Sequence, residues 1–187
     1  MAVDGSELNL PSAKELLDRF GHHHTNSIGT KIPQARASFL CDALNFITVD
    51  AQIEPFKVGE QQMFESHLNY IGKGDLLTAD ANYGHFRILK AILKRKLDFC
   101  VRMSQSSNFI KEFLASGKKD VIMEWQPSPK TIENCRKHKV DPSPFKVRLV
   151  RIELSENETE VLAISLLDAD TYTYDHIKAL YDKRWGV

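Results

Sequence analysis

The chain has 187 residues, 42% of them hydrophobic, which is enough for one domain with a substantial core, or for a core with one sizeable insertion, and excludes disorder as the default state. Lys and Arg total 25 and Asp and Glu total 25, so no global charge advertises a nucleic-acid partner and any such case must rest on local groups. Three widely spaced cysteines, Cys41, Cys100 and Cys135, fit neither a disulfide framework nor a paired-cysteine metal site and point to a reducing, cytoplasmic setting, while no apolar run approaches the ~18 residues of a membrane span and no signal-peptide pattern opens the chain.

Met1 leads at once into a strand-like run, which suggests an upstream domain that this chain does not carry. Residues 2–10 read as a strand ending at Asp4, a tight turn through Gly5 and Ser6, and a second strand with Leu8 and Leu10 alternating. Ser12 and Glu15 have capping-box spacing ahead of a short amphipathic helix with Leu16, Leu17 and Phe20. Residues 21–34, including His22, His23 and His24, read as a loop. Three consecutive histidines cannot all face one ion from regular structure, so solvation is the plainer reading. Residues 36–41 and 45–53 suit a hairpin turning at 42–45.

A helix over residues 60–71 is followed by a short buried strand at 76–79 that delivers Asp80. The next helix buries Phe86, Leu89, Ile92, Leu93 and Leu97 and turns Lys90, Lys94, Arg95 and Lys96 outward. Residues 99–103 form a further strand, and Phe109, Ile110, Phe113 and Leu114 mark a helix closed by Gly117. Residues 121–125, 145–154 and 159–167 are strand-like and separated by Pro-rich and charged loops. Residues 174–186 return to helix, with Ile177, Leu180, Tyr181 and Arg184 on one face.

Strand to Asp4, hairpin, helix, strand to Asp80, helix and strand is the element order of a ribonuclease-H-like core, in which carboxylates on neighbouring central strands hold metal ions. Spacing alone does not establish it, because a lone Asp at a strand end serves more often as a turn or cap residue. The wording of three blocks adds to it: Asp4-Gly5-Ser6, Thr78-Ala79-Asp80-Ala81-Asn82-Tyr83, and Tyr181-Asp182-Lys183-Arg184-Trp185. Together, and over essentially the whole chain, they resemble the DDE transposases of bacterial insertion sequences, whose last block reads Tyr-x-x-Arg-x-x-x-Glu and which carry a β-rich insertion before it.

That resemblance implies an α/β fold, a ribonuclease-H-like core of mixed sheet with flanking helices over residues 1–117, a β-rich insertion at 118–167, and a final core helix at 168–187. It implies cleavage of transposon ends and strand transfer to target DNA, with Mg2+ or Mn2+ as cofactor and two ions in the complete site. A homodimer is the candidate active assembly. Asp4 and Asp80 would hold the ions, since two hard cations ~3.5–4 Å apart activate a water and steady the leaving oxygen in phosphodiester cleavage. The third carboxylate would follow Val187 directly, so the fragment alone is expected to be inactive. Tyr181 and Arg184 would bind DNA phosphate.

Other residues have two readings each. Asn82 and His85 flank Asp80 and suit either orienting hydrogen bonds to it or, for Asn82, helix capping. Arg102 suits a DNA phosphate or an ion pair with a core acid. Trp125, like Trp185, suits stacking on an extruded base, with core packing the plainer role. Two other functions stay open: a ribonuclease-H-like nuclease without strand transfer, and a non-catalytic DNA-binding remnant of a decayed element.

Overall fold

The computed structural model describes residues 1–22, 29, 31–155 and 158–183, and divides the chain into two compact units, one of Val3–Tyr70 and one of Met1–Ala2 with Ile71–Val187.

The first unit takes most of β1 (Ala2–Asn9), then α1 (Lys14–Phe20), β2 (Gln34–Asp42), β3 (Ile47–Pro55), α2 (Glu60–His67) and a single 3-10 turn at Leu68–Tyr70, with its strands in the order β1-β2-β3. The expected turn at Gly5 is absent. β1 runs unbroken, and Asp4 lies inside it rather than at its end. Gly5 serves a close approach rather than a bend: a Cβ there would stand 2.8 Å from the Glu60 Cδ, the end of a flexible side chain. The capping box also fails. The Ala13 N–H bonds to the Pro11 carbonyl, so the helix begins one residue later, with Ala13 as N-cap and no side-chain cap. The hairpin between β2 and β3 forms as expected, with the Asp42 carboxylate accepting from the Leu44 and Asn45 N–H groups.

The second unit carries β4 (Leu76–Ala79), α3 (Phe86–Lys94), β5 (Asp98–Arg102), α4 (Asn108–Ala115), β6 (Asp120–Trp125), α5 (Pro129–Lys137), β7 (Phe145–Glu153), β8 (Thr159–Ile164) and α6 (Tyr174–Asp182). β4 and β5 pair in parallel, and Ala2 pairs in parallel with Thr78 on the other side of β4. Beyond β5 the order continues β8-β7-β6, all antiparallel, so the β-rich stretch extends the same sheet. The mixed α/β architecture expected of a ribonuclease-H-like fold is thus present.

The core follows from the strand sequences. Leu77, Phe99, Val101, Leu149, Leu162 and Ile164 are fully buried, and α3 adds Ile88, Leu89 and Ile92. Each such side chain contributes about 1.5–3 kcal/mol on leaving water. All three cysteines are free and buried, and desolvation pushes the Cys100 thiol up to about 12. One expectation fails here. The segment between Trp125 and Phe145 reads as loop in the sequence, yet it contains α5. Ser128 accepts from the Thr131 N–H, Pro129 presets the first turn, and Arg136 and Lys137 sit at the negative end of the helix.

Candidate active site

β4 and β5 run side by side in the second unit and end together, β4 just before Asp80 and β5 on Arg102. The chain leaves the sheet at these carboxyl ends, and the loops that follow bound the crevice where α/β proteins commonly present ligand-binding groups. β8 runs antiparallel to β5, so its first residues arrive at the same end.

The turn after β4 is tightly built. Asp80 Oδ1 accepts from the Asn82 N–H at 2.9 Å, and the Asp80 carbonyl accepts from the Tyr83 N–H at 3.1 Å. Gly84 then passes so close to the end of β5 that a Cβ would meet the Arg102 carbonyl oxygen at 2.7 Å. Asp80 is half-buried, and among the described residues its Oδ2 accepts no hydrogen bond.

Arg102 donates from Nη1 to Glu160 Oε1 at 2.7 Å. That bond comes first among the influences holding the guanidinium above its usual basicity. Burial opposes it, and the charges of Tyr181, Glu160 and Asp80 add to it. Asp80 and Tyr181, like Arg102 singled out from the sequence, therefore each lie within electrostatic reach of Arg102. Tyr181 is buried, its ring packed with Cys100, Val150, Leu162 and Ile177.

Beside these groups opens a polar cleft of about 730 Å3, lined by Ala81, Arg102, Gln105, Arg151, Glu158 and Glu160 among others. The Nε atoms of Arg102 and Arg151 are buried without a hydrogen-bond partner among the described residues. Sequence reading missed Arg151, Glu158 and Glu160. The only trace of Glu160 is an acid at the head of the apolar run 161–164, and its apposition to Arg102 depends on strand register, which no local pattern encodes.

Asp4 belongs to the other unit, where it is exposed. Its Oδ1 accepts from the Gly5 N–H at 3.0 Å, its Oδ2 has no partner among the described residues, and its carbonyl oxygen lies 3.4 Å from the Ser38 hydroxyl. The remaining candidates sit as follows. Asn82 is exposed and does not cap α3, whose N-cap is His85. The imidazole of His85 is held below its ordinary value by burial and by the charge of Arg87, and among the described residues it makes no bond to Asp80. Trp125 stacks on Phe109, centroids 4.8 Å apart and planes 4° from parallel, with Phe86 edge-on at 5.5 Å, an arrangement that serves packing. Arg184, Trp185, His23 and His24 lie outside the described residues.

Asp80 offers a carboxylate oxygen that accepts no hydrogen bond among the described residues, as does Asp4 within its own unit, and such oxygens are the donors a hard divalent ion takes. No group of three His, Cys, Asp or Glu side chains is gathered tightly enough to hold a metal ion among the described residues. No described helix is long and apolar enough to cross a membrane.

No curated protein matches the chain significantly. The NurA nuclease from Sulfolobus solfataricus, known from a crystal structure, is loosely similar, with a TM-score of 0.42 and 15% identity over 100% of this chain and 72% of that one. The model of the transposase DDE domain matches residues 1–187, and the chain belongs to that family.

Proposed function

We propose that the chain is the catalytic domain of a DNA transposase that cuts transposon ends and transfers the freed 3′ end to target DNA. The observation that carries this reading is the convergence, at the ends of β4, β5 and β8, of a carboxylate with an uncommitted oxygen, an arginine and an open polar cleft. A carboxylate beside a cleft that carries two arginines, one of them paired with Glu160, suits a phosphodiester held against a metal.

In this reading Asp4 and Asp80 hold Mg2+ or Mn2+, which when bound supplies activation of the attacking water and neutralises the leaving oxygen. Arg102 and Arg151 face the cleft and donate to phosphate oxygens. Arg184 contributes a further phosphate contact in this reading and Asn82 and His85 flank Asp80, whereas the buried Tyr181 and the stacked Trp125 serve packing. Residues 118–167 act as the β-rich insertion of a core formed by 1–117 and 168–187. No group of three His, Cys, Asp or Glu ligands is gathered among the described residues, and metal binding through two carboxylates alone is weak.

The test uses the protein on DNA carrying the transposon end. Asp4→Ala and Asp80→Ala should each abolish Mg2+-dependent nicking, and an assay for joined product separates strand transfer from cleavage alone. Nicking that survives both substitutions overturns the assignment.

A further inference from the structure

Behind Asp4, within the same unit, lies a buried polar chain that neither the sequence nor the family match accounts for. Ser38 in β2 and His67 at the end of α2 are fully buried, and Asp50 in β3 is half-buried beside them. His67 Nδ1 stands 2.7 Å from Asp50 Oδ2, and His67 Nε2 stands 2.9 Å from Ser38 Oγ. Gln52 Nε2 completes the group, donating to Asp50 Oδ2 at 3.0 Å and to the Met63 carbonyl at 3.3 Å.

Burial outweighs the neighbouring carboxylate and holds the imidazole below its ordinary value, so the ring is neutral near pH 7. A neutral ring facing a carboxylate carries its proton on Nδ1, donates it to Asp50, and leaves Nε2 to accept from the Ser38 hydroxyl. The same hydroxyl lies 3.4 Å from the Asp4 carbonyl, so its one hydrogen is shared between a nearer and a farther acceptor.

Serine, histidine and aspartate in this order form a nucleophile relay in hydrolases, but Ser38 has no exposed surface and a substrate cannot reach it. Apolar side chains of similar volume would fill the space without desolvating three polar groups. What hydrogen bonds add is direction, and here they are directed at β1. Gly5, the next residue along, lies against the Glu60 side chain, which Arg36 holds at 3.0 Å.

We propose that Ser38, His67 and Asp50 are positioning residues for Asp4: their hydrogen-bond chain ties β1 at that residue to β2, β3 and α2, and so sets where its carboxylate stands. The proposal rests on reading Asp4 as a metal ligand.

The test uses the 187-residue chain, with Mn2+ as probe and paramagnetic broadening of the Gly5 amide signal as readout, and with the melting temperature followed in parallel. Ser38→Ala and His67→Gln should raise the Mn2+ concentration for half-broadening by roughly three- to tenfold, the scale of one net hydrogen bond, and Ser38→Thr should restore it. If Ser38→Ala lowers the melting temperature but leaves half-broadening unchanged, the chain is only structural and the proposal is overturned while Asp4 keeps its role. If Asp4→Ala leaves the broadening at Gly5 unchanged, the ligand reading and the proposal fall together. Should a buried variant fail to fold, Asp50→Asn at the half-buried member gives the same comparison: a raised half-broadening concentration supports the proposal and an unchanged one overturns it.

Discussion

A single missing side chain determines how closely Asp80 and Arg102 can be built together. At Gly84 a Cβ would press on a backbone oxygen of β5 and on Met103 Sδ at 3.0 Å, whereas at Gly5 it would meet only the flexible end of Glu60. The two glycines look alike in sequence, but their tolerances differ because a side chain can swing aside and a paired strand cannot. Gly84→Ala should therefore cost about 1–3 kcal/mol, the range for overpacking, and Gly5→Ala less. Urea unfolding of both variants checks this, and equal midpoints would show that the turn after Asp80 yields as easily as Glu60 does. The ion pair of Arg102 with Glu160 is one of two readings open from the sequence, while the partner's identity becomes visible only through the pairing of β5 with β8.

At the scale of elements, α5 is the least expected piece, and its start rests on a local device. Ser128→Ala removes the acceptor for the Thr131 N–H and should destabilise the chain by about 1 kcal/mol, whereas Ser128→Asp should retain most of the stability. Thermal melting of the two variants decides it, and identical losses would mean that the cap contributes nothing. The helix is hidden in the sequence because its nine residues bury only Cys135, so no apolar stripe announces it. By contrast β4, α3, α4 and α6 are legible from apolar periodicity and from the Gly and Asp residues that bound them. The candidate site divides the same way. Asp80, Arg102 and Tyr181 stand at strand and helix positions that pattern alone locates, but Arg151, Glu160 and the buried Ser38–His67–Asp50 chain depend on which elements become neighbours. Arg148 is a further case: a charged residue in a strand, it is fully buried against Asp120 at 2.8 Å and against the Tyr172 carbonyl, a placement no hydrophobic pattern favours.

For the molecule as a whole, the buried imidazole ties folding to acidity. His67 is held below the 6.5 of a free imidazole chiefly by burial, so the unfolded chain takes up a proton there before the folded chain does. Its contribution to stability is complete above about pH 6.5 and is lost as the pH falls through the lower folded value. His85 is shifted in the same direction. The urea midpoint should therefore drop between about pH 7.5 and about pH 5, and His67→Gln should remove part of that drop. An unchanged pH dependence in the variant would show that His67 titrates alike in both states.

Cys100 occupies the middle of β5, paired with Thr78 on one side and Ile164 on the other, with its thiol fully buried and its ionisation suppressed. An alkylating reagent needs both access and thiolate, and a closed sheet supplies neither. Modification at this position must wait for β5 to part from a neighbour, which makes the rate of alkylation a clock for sheet opening, carried by the natural sequence and readable by mass without any added label.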